Sequence, residues 1–215
     1  MSRSTFTAAT LIATMILSSP AFAFYTFQDS GDLLAPGRYA TATEVQFLTS
    51  RDSGANFVGK IDGGLNDEFN FRATIGTGNT DFQIQGLLKW VPIPDYENQP
   101  AIGVTTGFLW ARYESRASRD ETENEFSVRV IPFLSKKFET ENMGAITPYV
   151  ALPFAIRDYG SESDVPFNLA LGSKYAHPDV QGVTFTAEIG LDIDESFDYV
   201  SIGAIFSMDE NFRFE

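Results

Sequence analysis

Apolar and polar residues alternate along most of the chain. Glu68-Phe69-Asn70-Phe71-Arg72-Ala73-Thr74-Ile75 is the clearest run, and a period of two is the mark of a strand with two different faces. The same beat returns where Asp81, Gln83, Gln85 and Lys89 alternate with Phe82, Ile84, Leu88 and Trp90. It returns again over Glu125–Lys137 and over Val183–Asp192. Turn formers separate these runs, which predicts ten strands at about 38–49, 55–63, 67–77, 80–92, 100–113, 124–138, 145–158, 165–176, 182–192 and 197–208. Many are ten residues or longer, against a usual strand of about five or six. Ten residues is about what a tilted strand needs to cross a bilayer. Residues 24–37 show no period and read as an irregular lead-in or a short plug on the periplasmic side.

Sorting each strand by parity separates the charge. The polar set holds Arg38, Lys60, Arg72, Lys89, Arg129, Lys137, Arg157 and Lys174. It also holds the acids Glu44, Asp62, Glu68, Asp81, Glu125, Glu188 and Asp192. In a soluble β-sandwich such a set faces water; in a membrane barrel the order inverts and it lines the lumen. Periodicity alone leaves both open. An export signal and strand length favour the barrel. So does the placement of Phe47, Phe57, Phe82, Trp90, Phe108, Trp110, Tyr149 and Phe197 toward strand ends, where interfacial girdles sit.

The export signal is at the N-terminus. Arg3 precedes the apolar run Ala8–Leu17, and Ser18-Ser19-Pro20 breaks it before Ala21-Phe22-Ala23. This is the layout of a secretory signal cleaved after Ala23, with an apolar run too short to span a membrane. Composition narrows the rest. The 215 residues carry a net charge of −14 and no Cys, which speaks against binding a phosphate backbone and excludes disulfide scaffolds and thiol chemistry. With 20 Phe the chain is not a disordered one.

With these features the chain resembles small bacterial outer-membrane β-barrel proteins, porin-like in architecture, over residues 38–214. The expected fold is all-β, a single antiparallel up-and-down transmembrane β-barrel of about ten strands, with eight or twelve as alternatives. Val200, Ile202, Ala204, Phe206, Phe212 and Phe214 share one parity at the C-terminus, resembling the signal read by the outer-membrane assembly machinery. Glu215 follows Phe214 and Asp209-Glu210-Asn211 interrupts the run, a departure from that pattern. The resemblance implies residence in the outer membrane of a Gram-negative bacterium and contact with its lipids.

Candidate chemistry is sparse. His177, with Asp179 and Ser173 nearby, is the one possible hydrolase constellation, and its place on a periplasmic turn argues against it. Asp192, Asp194, Glu195 and Asp198 form an acidic cluster able in principle to attract a divalent cation, but without a calcium-loop spacing. No cofactor is expected. The lumen charges should pair across strands, because buried charges are tolerated only when paired. Three roles follow: a structural or surface-interacting barrel with a narrow or ion-pair-plugged lumen, a narrow porin for small polar solutes, or a barrel hydrolase acting on lipid or peptide. A soluble periplasmic β-protein is the architectural alternative.

Overall fold

The computed structural model describes residues 26–49, 54–114, 122–159, 162–194 and 196–208. The signal-peptide reading of residues 1–23, Glu195, and Phe212 and Phe214 of the C-terminal pattern lie outside them. Thirteen β-strands and no helix are formed among the described residues. They are β1 (Tyr39–Leu48), β2 (Gly54–Gly64), β3 (Phe69–Gly78), β4 (Phe82–Ile93), β5 (Ala101–Glu114), β6 (Thr122–Ser135) and β7 (Phe138–Thr140). There follow β8 (Gly144–Ala151), β9 (Phe154–Tyr159), β10 (Glu162–Asp164), β11 (Phe167–Ala176), β12 (Val183–Asp194) and β13 (Tyr199–Ser207).

These make a closed antiparallel barrel of ten staves. Each of β1 to β6 pairs with its sequence neighbour, and β13 pairs back on β1 from Ala40↔Ser207 to Leu48↔Tyr199. The seventh stave is made in two pieces, β8 and β9, separated by Leu152-Pro153. On one side both halves pair with β6; on the other, β8 pairs with β11 over seven residues and β9 only at Phe167↔Phe154. Pro132, Pro153 and Pro166 cluster at this break and bring no N–H to it. Their carbonyls still accept, from Leu152, Asn168 and Ala155 respectively, so the wall stays hydrogen-bonded. The short β7 and β10 fold back as hairpins on β8 and β9.

Alternation decides the two faces. Along β6, Glu125, Ser127 and Arg129 are buried to 0–1 % exposure, while Phe126, Val128 and Val130 between them are 44–48 % exposed. Phe57, Ile75, Ile84, Ile156 and Ile189 likewise point outward from other staves. The protein is therefore inside-out: charge within, apolar surface without. Two residues expected in the aromatic girdle depart from this. Tyr149 and Phe197 are buried inside the ring rather than displayed on it, because their parity is that of the lumen-facing set.

The start of β1 and the end of β13 lie side by side at the same end of the barrel, where the Met208 N–H donates to Tyr39 O, as an even stave count requires. At that end Asp95 binds the next turn together. It accepts from the Lys136 ammonium and, at 2.6 Å, from the Lys137 N–H. Partial burial pushes the Asp95 carboxyl up, and these bonds outweigh it and hold it below the usual carboxylate range.

A lysine placed at Val128, mid-stave on the outer face, tests the assignment. Val128→Lys should cost about 2–4 kcal/mol of folding stability in lipid vesicles, as a midplane cation on a lipid-facing position does. Equilibrium unfolding from vesicles measures it, and a neutral result would mean that this face meets water.

Candidate functional site

The lead-in is where the structure places its chemistry. Residues 26–34 form no strand; they run inside the barrel, with Thr26 to Gly31 buried. This segment is a plug built from the chain's own N-terminal side, seated within the staves rather than beneath them.

Its hold begins with Glu188 on β12. The carboxylate accepts four hydrogen bonds: from the main-chain N–H groups of Phe27 (2.9 Å) and Gln28 (2.6 Å), and from the hydroxyls of Tyr149 (2.7 Å) and Tyr199 (2.7 Å). Gly172 and Gly190, cross-strand partners of the two tyrosines, leave the space their rings occupy. The Gln28 side chain donates to Ser201 Oγ at 2.7 Å and accepts from Thr186 Oγ1 at 3.0 Å. Phe27 enters an apolar patch of the inner wall formed by Val91, Ala101, Ile131, Phe133, Ala151 and Ala170. Its ring lies 4.8 Å from that of Phe133 and 5.5 Å, edge-on, from Tyr149.

The next four residues meet three cations. Lys89 spends its ammonium on Asp29 Oδ1 (2.9 Å), Ser30 O (3.1 Å) and Asp32 O (2.7 Å). Lys174 donates to Ser30 Oγ (3.0 Å) and Asp32 Oδ2 (3.1 Å). Arg72 forks onto Asp62 of the neighbouring stave (2.6 and 3.0 Å), reaches Asp29 Oδ2 at 3.2 Å and donates to Phe27 O at 2.9 Å. Between plug and wall remains a pocket of about 80 Å³ beside Asp32, Asn70, Arg72, Lys89, Thr105 and Lys174.

The other sequence-selected residues distribute as follows. Glu44 and Lys60 pair within the lumen at 2.5 Å. Glu125, Arg129 and Arg157 are buried nearer the opposite end, where the Arg157 guanidinium meets Asp164 of β10, its cross-strand partner. Arg38 is half-buried in the turn before β1. Three residues assigned to the lumen by parity lie elsewhere. Glu68 is exposed and accepts from the Trp90 indole at 3.1 Å, because Asn66 ties residues 66–69 into a turn before the alternation begins. Asp81 sits half-buried in the turn ahead of β4, its carbonyl accepting from Thr77. Lys137 lies past the end of β6, exposed and paired with Glu139 at 2.6 Å.

The side chains of the other two candidate constellations are held as follows. The His177 Nδ1 accepts from the Asp179 N–H at 3.1 Å, a turn-closing bond, and the Ser173 hydroxyl turns to Lys174 O at 3.4 Å. Asp198 caps the Asp192 N–H and Asp192 caps the Ser196 N–H. Among the described residues no three metal-ligating side chains converge.

The plug residues Phe27, Asp29 and Asp32 were invisible to periodicity. One signal for them exists once the register is known. The cross-strand neighbours of Lys89 are Asn70 and Thr105, and those of Lys174 are Thr147 and Thr186. Neither lysine has an acid directly opposite it, and Glu188, diagonal to Lys174, is engaged by other donors, so each draws its counter-charge from outside the wall.

Comparison with known proteins adds little sequence information. No family model matches the chain, and no curated protein matches it. Solved structures similar to it include a de novo designed transmembrane β-barrel, 14 % identical with a TM-score of 0.41, and an outer membrane channel from Pseudomonas putida F1, 7 % identical with a TM-score of 0.47. The alignments cover 82 % and 87 % of this chain, and all of each of those chains.

Removing one member of a buried pair leaves the other charge uncompensated, at a cost of about 3–5 kcal/mol. Lys89→Met should therefore remove less stability than Asp29→Ala, which takes the carboxylate from Lys89 and one of the two carboxylates from Arg72. Urea unfolding of the two variants in detergent orders them, and the reverse order would show that the plug carboxylate is not what the cations depend on.

Proposed function

We propose that this chain is an integral outer-membrane β-barrel protein of a Gram-negative bacterium, exported by its cleaved signal peptide, whose lumen is sealed at rest by ion pairs and its own N-terminal segment. Its role is structural or surface-interactive and non-catalytic. One observation carries the membrane reading: fully buried Arg129 and Glu125 alternate on β6 with Phe126, Val128 and Val130 facing outward. A protein in water hides the second set, and a protein in lipid hides the first. The staves are 9 to 14 residues long where unbroken, which suits the apolar band of an outer membrane once they tilt. Assembly would use the C-terminal strand, whose outward Val200, Ile202 and Phe206 continue the apolar face, and lipids would be the protein's main partners. The turns beside Asp95 would then face the periplasm.

A second reading, a narrow channel for small polar solutes, is favoured by the nature of the seal. The plug pairs with no stave as a strand, and its residues are held by side-chain contacts on every side. A segment bound in this way can leave without unzipping the wall.

The mature protein refolded in detergent should migrate differently on a gel before and after boiling, and give near-silent planar bilayers. Identical mobility with solubility in plain buffer would overturn the membrane reading. A steady large conductance would overturn the seal.

A further inference from the structure

The plug is bound by the barrel as a peptide ligand is bound by a receptor. Its aromatic side chain fills an apolar recess, two successive main-chain N–H groups converge on the Glu188 carboxylate, and Arg72 takes the intervening carbonyl. Two carboxylates then fall on Arg72, Lys89 and Lys174. The allocation of partners is one-sided. Arg72 has a wall carboxylate of its own in Asp62, but the hydrogen bonds of the Lys89 and Lys174 ammonium groups go to the plug. Glu188 is mirrored: its two hydroxyl donors come from the wall and its two N–H donors from the plug. With residues 26–34 withdrawn, the same wall presents two lysines without an opposing acid, a carboxylate short of two donors, and an empty recess of aromatic width.

We infer that the lumen is a binding site for short acidic peptides carrying an apolar residue two positions ahead of an aspartate, and that residues 26–32 occupy it in cis. This deepens the channel reading by naming its solute class. The recess selects the apolar side chain, Glu188 selects peptide N–H groups, and the lysines select carboxylates, so a bare dicarboxylate satisfies only the last. Peptide affinity should depend steeply on charge, because paired groups buried in a narrow polar lumen are screened far less than surface pairs.

The test uses a barrel whose mature chain starts at Ala35, refolded in detergent and checked by its mobility shift on boiling. The probe is the capped, fluorescent peptide Thr-Phe-Gln-Asp-Ser-Gly-Asp, read by anisotropy. The shortened barrel should bind it, and the full-length barrel should not. Replacing both aspartates of the peptide by asparagine should weaken binding by about tenfold or more, the equivalent of about 1.4 kcal/mol. Lys89→Met with Lys174→Met in the shortened barrel should erase that preference, and succinate should not displace the probe. Equal binding of both peptides, no binding, or displacement by succinate overturns the inference. If the shortened barrel does not fold, the full-length Asp29→Asn, Asp32→Asn protein replaces it, with binding of the acidic peptide again expected and its absence again decisive. Bilayer conductance of the same samples separates the two ideas. Binding without conductance leaves the site and removes the channel, and conductance without binding does the reverse.

Discussion

A lysine enclosed by a barrel wall must find an anion within the reach of its own side chain, since the desolvation of an ammonium group is too costly to leave unanswered. Much of this molecule follows from how that demand is met at Lys89 and Lys174. On an antiparallel wall the natural counter-charge sits directly across on the next stave, as Asp62 does for Arg72 and Asp164 for Arg157. It can also sit on a diagonal, as Glu44 does for Lys60. The residues directly opposite Lys89 and Lys174 are all neutral, and Glu188, on the diagonal from Lys174, is already taken by four other donors. Their charges are balanced only because Asp29 and Asp32 are carried into the lumen by a segment that is not part of the wall. The lead-in is thereby a component of the folded core of the barrel, although it contributes nothing to the sheet.

The same demand explains why the interior is not uniformly polar. A segment ordered inside a pore loses backbone and side-chain entropy of about 1–2 kcal/mol per residue or more, and ion pairs that must first be desolvated repay little of it. Apolar burial is the term that can. Phe27 supplies it, against an inner wall that turns apolar at the level of Ile131 and Phe133 after the polar run Glu125, Ser127, Arg129 on the same stave. Electrostatics and burial thus act on adjacent plug residues for different reasons: burial gives the segment a reason to enter, and the cations fix where it stops.

Sequence reasoning reached the wall because the wall repeats. Ten periodic runs become ten staves, with shifts of up to three residues at their ends, and alternation passed over the break at Leu152-Pro153. Glu68, Asp81 and Lys137 were misplaced for a common reason: parity was carried across turn residues where the pleat had already ended, at the Asn66 turn, ahead of β4 and beyond Ser135. Tyr149 and Phe197 were misplaced because aromatic identity was weighed above parity. The plug escaped for a deeper reason. Its residues bind through unlike contacts in succession, a ring, two amides, a carboxylate and a hydroxyl, and no periodicity marks a segment whose every position does something different.

The inner wall itself argues that the plug was accommodated rather than tolerated. A ring of ten staves has an interior slightly wider than the eight-stave width that side chains alone fill. Filling it from the wall would call for large inward residues at every level. Where the plug passes, the wall instead carries Ala101, Ser135, Ala170, Ser201 and Gly203. A β-carbon at Gly203 would press on Gln28 Oε1 and Thr186 Oγ1, and one at Gly31 would collide with the Ala101 side chain. Small residues face each other across the contact from both partners, as at any interface where backbones approach closely. A wall evolved to close on itself would have no reason to be hollowed along the one path that the lead-in takes, and Lys89 and Lys174 would have no reason to stand beside that path without acids directly opposite them.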